Sequence, residues 1–449
     1  MKITLLPSEK GDCLLVESDD VAILADGGMP GSYAAEVRPF LGRFAAAGGE
    51  LDLVYVSHVD QDHIAGVLQL LEDTVQWRVH KHKVANNRPS TKPKFDEPPA
   101  VKRIWHNSFK ALVPENAGEI GTMLAARANT LSSSGNPSAI KLAAAYSNIA
   151  NSIPEAIKVS RRIAADQLDI PLNGEFNHLL AMVRGNNAIK LKPGSKLSIR
   201  VIGPFEKDLE ILRDYWNAWL KDVKNANAVR SLKEWLENNR AGLPAGTLGL
   251  SIDDEIGRRA KVTEPNLASL MLLLEETKPG GGVTRAIMTG DGHHEDVLAG
   301  LEHHGLLANG KGLHVDLLKI QHHGSEHNLD RDFVKRITAD HYVFCANGEH
   351  ENPDLRIIEV LLKSRLGEDD ELSPNPEAGQ SFTVWLNCSS QYLKKQIEAK
   401  EEAGKSTTKL EKSLEHFLLV EEALAEAKAE SGGKLKVKTL KANPLVLEI

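Results

Sequence analysis

Residues 51–73 read LDLVYVSHVDQDHIAGVLQLLED. The apolar run at 52–56, DLVYV, has the length and composition of a buried strand, and the IAGVLQLLED that closes the stretch repeats its apolar residues at helical spacing. The polar hexad HVDQDH, 58–63, therefore falls in a strand-to-helix loop, where chemistry is commonly placed. Its spacing is suggestive. His58, Asp60 and Asp62 stand two residues apart and can be aimed at one point, while His63, directly after Asp62, lets that pair divide between two ions. Imidazole and carboxylate are ligands of zinc, manganese and iron.

Working outward, short apolar runs at 2–6, 13–16 and 21–25 precede this stretch, and others follow at 197–203, 269–274, 285–289, 315–320, 341–345 and 381–386. Helical patterns lie between several of them, at 294–304, 330–338 and 354–365. Strands with interposed helices at both ends of the chain predict a layered α/β sandwich. Two further polar groups end strands: Asp291 in RAIMTGD, and His322 with His323 in LLKIQHHGS. Neighbouring residues of a strand point in different directions, so one of these two histidines is expected to coordinate. His323 is taken as that ligand, leaving His322 to contact substrate or brace a ligand. The pairs His293/His294 and His303/His304 fall on a predicted helix and are expected to face solvent.

A chain of 449 residues has room for two or three domains, and 41% hydrophobic with 26% charged residues excludes a wholly disordered or fibrous protein. The net charge of -8 provides no global basic field, so phosphate binding would have to come from a local patch or from metal ions. Cys13, Cys345 and Cys388 form no CxxC pair, which argues against a disulfide framework or a thiolate zinc site and fits a reducing cytoplasm. Neither a secretory segment nor a long apolar run is present, so a cytoplasmic chain without membrane insertion is expected.

The sequence divides into a first half of the catalytic domain at 1–106, a helical insertion at 107–194, a second half at 195–392 and a charged helical tail with terminal strands at 393–449. The insertion carries the helical patterns MLAARANTL, AIKLAAAYSNIANSI and EAIKVSRRIAADQL. A smaller insert, 206–262, carries LEILRDYWNAWLKDV and VRSLKEWLENN and ends in the polar SIDDEIGRRAKVTEP. The tail reads as a charged helix over 395–431, broken at Ser431, Gly432 and Gly433. Insert and tail suggest a protein partner or a homo-oligomer, as in operon-encoded bacterial defence systems. Between Arg78 and Arg103 stand eight Lys/Arg and two acidic residues. Pro and Asn interrupt this segment, which predicts a long basic loop suited to a phosphate backbone or a nucleotide.

ADGG after a strand, then HVDQDH, TGD and KIQHHGS, occur in the order found in the metallo-β-lactamase superfamily, which this chain resembles over about 1–75 and 195–390. Within it, the chain is similar to the hydrolase domain of ComEC-type DNA-uptake proteins: the metal loop reads HxDxDH, Asn266 and Ser269 precede the GD strand, and HHGS follows. The resemblance implies an αββα sandwich around two divalent ions. It places Asp26 beneath the metals, His58 and Asp60 on one ion, Asp62, His63 and His323 on the other, and Asp291 between them. Asp60 stands where many members have His; this hard oxygen ligand leaves zinc and manganese both open. The third-motif histidine of the family has His106, after AVKRIW, as its candidate. His350, in CANGEHENPD, takes the place of a pocket histidine and is expected to contact substrate or donate a proton to the leaving group, although Asn352 precedes Pro353 where the family has His.

With Asp62, His322 and His350 as catalytic residues, the expected activity is phosphodiester hydrolysis of DNA, RNA or a nucleotide by a metal-bound hydroxide. Three carboxylates against two divalent ions leave a site charge of about +1, which the hydroxide would neutralise. The alternatives are hydrolysis of another ester, thioester or lactone bond, and a partner-binding module with a vestigial metal site.

Overall fold

The computed structural model describes residues 1–107, 155–156, 158–213, 256–307, 311–368 and 370–449. It is a mixed α/β structure with two sheets. The first has the order β13-β1-β2-β3-β4-β5 and the second β12-β11-β10-β9-β8-β7-β6. In the first sheet the strands are β1 (Lys2–Leu5), β2 (Leu14–Glu17), β3 (Ala22–Ala25), β4 (Leu53–Tyr55), β5 (Ile104–Trp105) and β13 (Leu445–Glu448). The second comprises β6 (Leu197–Gly203), β7 (Met271–Thr277), β8 (Val283–Met288), β9 (Leu313–Lys319), β10 (Ile337–Phe344), β11 (Phe382–Leu386) and β12 (Leu435–Thr439).

Alternation along these strands builds three cores. Between the sheets, Ile3, Val16, Ile23 and Tyr55 of the first meet Ile199, Leu272, Met288 and Leu317 of the second. On the outer face of the first sheet, Leu15, Leu24 and Val54 pack against Ile64, Val67 and Leu71 of the helix Gln61–Ala85. The outer face of the second, with Ile287, Leu318 and Phe344, is covered by Val297, Ile357, Phe417 and Val420 from helices of the later chain. The order helix, sheet, sheet, helix is the sandwich the strand pattern predicted.

Parallel pairs β3/β4, β4/β5, β8/β9 and β9/β10 direct their C-terminal ends to one rim of the sandwich. Polar loops emerge there, as ligand sites do in open α/β sheets.

The structure corrects three expectations. The basic segment is not a loop throughout, because the helix that starts at Gln61 runs to Ala85. Residues 78–85 lack an apolar stripe, yet Arg, Lys and Ala favour the helix, and Arg78 anchors it by donating to the Leu168 carbonyl at 2.8 Å. At 1.5 Å per residue, Lys81 and Lys83 lie about 30 Å along the helix from the hexad. Lys102 and Arg103 are engaged by Glu50, Asp52 and Glu175.

The tail forms two helices, Ser390–Glu402 and Thr408–Glu430. Its terminal strands extend both sheets: β12 pairs parallel with β11, Leu435 opposite Phe382, and β13 pairs antiparallel with β1, Glu448 opposite Lys2. The third correction, at His293 and His294, is treated with the site. Of the inserts, helix is seen at 155–156, 158–162 and 206–213. MLAARANTL, AIKLAAAYSNIANSI and VRSLKEWLENN lie outside the described residues. Among the described residues, no helix is long and apolar enough to cross a membrane.

Candidate metal centre

The strand β4 ends at Tyr55 and the chain turns through Ser57 and His58 into a helix whose N-cap residue is Asp60. Asp60 makes no capping bond; its Oδ1 is buried without a hydrogen-bond partner. An N-cap aspartate ordinarily satisfies the helix amides, so this carboxylate is held for something else. His58, Asp60, Asp62 and His63 are all buried. Asp291 follows β8, and His322 and His323 follow β9, on the adjoining rim of the second sheet.

Asp291 is the point on which the others converge. Its Oδ2 lies 3.7 Å from His58 Nε2, 3.6 Å from His322 Nε2 and 3.5 Å from His323 Nε2, and its Oδ1 lies 3.4 Å from His63 Nε2. His323 Nε2 is also 3.5 Å from Asp62 Oδ2, and His58 Nε2 is 3.7 Å from Asp60 Oδ2. Ligand atoms of His58, His63 and Asp291, of Asp62, His63 and His323, and of Asp291, His322 and His323 each lie within 4.8 Å of one another.

The two histidines of HHGS do not diverge as strand residues would. Both adopt left-handed backbone conformations, φ 44° at His322 and φ 58° at His323, so both imidazoles turn toward Asp291. Such non-glycine conformations are costly and concentrate at functional sites.

A hydrogen bond behind each imidazole sets its orientation. His63 Nδ1 donates to Asp26 Oδ2 at 2.9 Å, and Asp26 also accepts from the Ser57 amide and hydroxyl, each at 2.8 Å. With Ser57 thus donating, its oxygen accepts from His58 Nδ1 at 3.0 Å. His323 Nδ1 donates to the Cys345 carbonyl at 2.7 Å. His322 Nδ1 lies 2.8 Å from Asn328 Oδ1, whose amide nitrogen is committed to the Asp291 carbonyl at 2.8 Å. Every Nδ1 is therefore engaged on the side away from Asp291, and every Nε2 is turned toward it. This is how outer hydrogen bonds prepare histidines for a metal.

The inward atoms fit such a load. His58 Nε2, His63 Nε2, His323 Nε2, Asp60 Oδ1 and Asp291 Oδ1 are buried without hydrogen-bond partners, a condition native proteins avoid unless an ion or water is meant to satisfy it. The charges agree. Burial alone would raise the carboxyls of Asp62 and Asp291, but His323 and Lys10 hold Asp62, and His323 with His63 holds Asp291, well below the usual range. Conversely, burial disfavours charged imidazole, yet Asp291 outweighs it and lifts His323 to about 9 and His63 well above its ordinary value. A buried set this rich in carboxylate calls for cations.

His106 is buried just beyond β5, with both ring nitrogens unpartnered. Burial, then the charge of neighbouring His58, pushes its pKa down to about 4. It belongs to none of the clusters of converging ligand atoms among the described residues. His350 is exposed at the mouth, 3.6 Å from Glu349. Partial burial of the ring, then the charge of Lys10, lowers its pKa against the pull of Glu349 and Asp62.

Asp12 and Lys319 carry roles that sequence reasoning passed over. Both are buried beneath the centre and joined as an ion pair. Asp12 lies 3.4 Å from His323 Nδ1, and Lys319 Nζ donates to the Gly290 carbonyl at 2.9 Å. A lysine closing the apolar strand VDLLK was the available signal, since a charge there needs a buried partner.

Contrary to expectation, His293 and His294 are buried. His293 caps the helix His294–His303 and donates from Nε2 to the Gly257 carbonyl at 3.0 Å; His294 Nε2 faces Asp330 at 3.3 Å. The segment around Gly257 covers them. His303 is exposed and His304 half-buried. Burial, reinforced by His294, depresses the His293 pKa from 6.5 to about 3. The unfolded chain therefore binds the extra proton between those values, so this contribution is present above pH 6.5 and lost as pH falls toward 3. By about pH 4.5 the loss amounts to ~2–3 kcal/mol. Denaturant titrations at pH 7 and about pH 4.5 should show a drop smaller by that amount in His293→Gln; equal drops would refute the assignment.

No curated protein sequence matches the chain. Residues 8–123, which span Asp12, Asp26, the HVDQDH loop and His106, match the model of the Metallo-beta-lactamase superfamily.

Proposed function

We propose that the chain is a dinuclear metal-dependent phosphodiesterase acting on DNA, RNA or a nucleotide, with zinc or manganese as its ions. The observation that carries the reading is the convergence of four imidazole Nε2 atoms, three of them from buried histidines, on one carboxylate, Asp291. The motif set HxDxDH, GD and HHGS, similar to ComEC-type hydrolase domains, supports a phosphate ester over other bonds.

His58 and Asp60 would hold one ion and Asp62, His63 and His323 the other, with Asp291 shared. The position of His322 Nε2, 3.6 Å from Asp291, makes it a further ligand or a direct substrate contact. Bound ions supply a low-pKa water and neutralise charge building on the phosphoryl oxygens. The protein's own groups do the rest: Asp26, Ser57, Asn328 and the Cys345 carbonyl fix the imidazoles before substrate arrives, and exposed His350 is placed to pass a proton to the leaving oxygen.

The charge balance differs from the sequence-based tally. Asp12 is offset by Lys319, but Asp26 adds a negative charge, so two divalent ions bring the set to about zero rather than about +1.

Cleavage of single-stranded DNA, duplex DNA, RNA, cyclic dinucleotides and bis(p-nitrophenyl) phosphate with zinc or manganese tests the reading, with Asp62→Ala beside the wild type. Cleavage of at least one, reduced about 10³-fold or more by Asp62→Ala, is expected. Turnover of thioesters or lactones alone would replace the reading with a different hydrolase. Retention of no metal would favour a binding module.

A further inference from the structure

The turn PSEKGD between β1 and β2 brings a second group to the site besides Asp12. Ser8 Oγ donates to the Gly11 carbonyl at 2.5 Å and accepts from Asn387 Nδ2 at 2.8 Å, while the Gly11 amide donates to the Ser8 carbonyl at 3.2 Å. This closed turn lies flat on the first turn of the helix Gln61–Ala85: a Cβ on Gly11 would stand 1.8 Å from the Asp62 carbonyl oxygen. Glycine is required there by space alone.

Lys10 is thereby held beside Asp62, with a side chain only 10% exposed. Its ammonium lies 3.9 Å from Glu349 Oε1, and the same oxygen lies 3.6 Å from His350 Nε2. Glu349 thus faces both Lys10 and His350 across the mouth of the centre. At 3.9 Å it attracts the ammonium without hydrogen-bonding it.

The loop carrying Glu349 and His350 is rigidly placed. His350 and Glu351 both have left-handed backbones, φ 61° and 62°. Gly348 abuts the Ser413 carbonyl of the helix Thr408–Glu430, where a Cβ would approach to 2.2 Å, and His416 of that helix donates to the Pro353 carbonyl at 2.9 Å. An enclosed lysine is expensive to desolvate. Its retention between a metal-facing aspartate and a mouth histidine needs a reason.

We propose that Lys10, steadied by Glu349, is the residue by which this site selects anionic substrates, its ammonium binding a non-bridging oxygen of the substrate phosphate beside His350. The inference rests on the phosphodiesterase reading of the centre. Lysine offers a compact point charge with three donors, which suits phosphate oxygens. A neutral ester presents no anionic oxygen to it in the ground state. Lys10 therefore discriminates between substrate classes that the metal ligands alone treat alike.

The test compares Lys10→Gln and Lys10→Arg with wild type in the full, metal-loaded chain. It uses bis(p-nitrophenyl) phosphate and the neutral p-nitrophenyl acetate, with metal content measured in each sample. Loss of a charged hydrogen bond predicts a fall of about 10- to 100-fold in kcat/KM for the diester with Lys10→Gln, partial recovery with Lys10→Arg, and a fall in acetate hydrolysis about tenfold smaller or less, each rate expressed per bound metal. Equal losses on both esters, or none on the diester, would overturn the proposal. Should neither ester be turned over, the phosphodiesterase reading is decided separately by the nucleic-acid substrates, and equilibrium dialysis of inorganic phosphate decides the role of Lys10. Wild-type binding weakened about tenfold or more in Lys10→Gln and recovered in Lys10→Arg upholds the role of Lys10; equal binding, or none by wild type, overturns it. If Lys10→Gln does not fold, Lys10→Met carries the same comparison.

Discussion

Asp291→Asn should leave a folded chain that has lost its bound metal and, with it, roughly 10³-fold or more of its hydrolytic activity. The substitution preserves shape and removes one charge. That charge stands within 3.4–3.7 Å of Nε2 atoms from His58, His63, His322 and His323. Among the described residues no other carboxylate faces all four: Asp62 faces His63 and His323, and Asp60 faces His58. Removal of a single shared ligand should therefore empty both halves of the centre, where loss of Asp60 would empty one. Elemental analysis of the purified variant, with circular dichroism to verify the fold, gives the answer. A full complement of metal in Asp291→Asn, or activity within tenfold of wild type, would show that Asp291 is not the common ligand.

A comparable loss, this time of stability, is expected from Gly66→Ala. In most helix interiors this change is favourable by about 1 kcal/mol. Here the helix Gln61–Ala85 crosses the ADGG turn after β3 at backbone contact. The Gly66 amide donates to the Gly28 carbonyl at 3.0 Å and the Gly27 amide to the His63 carbonyl at 2.9 Å. A Cβ on Gly66 would stand 1.8 Å from the Gly27 oxygen, and one on Gly27 would stand 2.3 Å from the Val67 nitrogen. Backbone cannot swing aside as a side chain can, so the helix must lift. The expected cost is ~3 kcal/mol or more, with metal affinity falling in whatever folds, because Asp26 precedes Gly27 and braces His63. Chemical denaturation and metal titration measure both. A variant as stable as wild type would mean that the crossing is looser than 1.8 Å implies.

What the sequence made legible follows from range. The strands could be read because each is a short apolar run bounded by polar punctuation. HVDQDH, TGD and HHGS could be read because their His and Asp side chains cluster at strand ends within a few residues of one another. Asp12 and Lys10 could not, since PSEKGD resembles any polar turn until its contact with Asp62, some fifty positions away, is known. His293 and His294 look like surface residues because their cover, around Gly257, comes from a separate segment. The direction of His322 is not legible for a local reason: strand alternation ends where φ turns positive. The extent of the helix beyond Trp77 was hidden because exposed Lys and Arg carry helix propensity without a periodic signal.

The placement of β12 and β13 bears on how the chain is made. Each is the outermost strand of a different sheet, β13 on β1 and β12 on β11, and both are synthesised after every strand they join. As the ribosome proceeds at about 5–20 residues per second, β1 and β11 stand as borders of the two sheets until β12 and β13 emerge to cover them, and exposed sheet borders recruit other chains. Pairing Lys2 with Glu448 also gives this topology a high share of distant contacts, which slows folding. The molecule is thus most open to aggregation in the interval before β12 and β13 emerge, and a chaperone that holds nascent chains would act there.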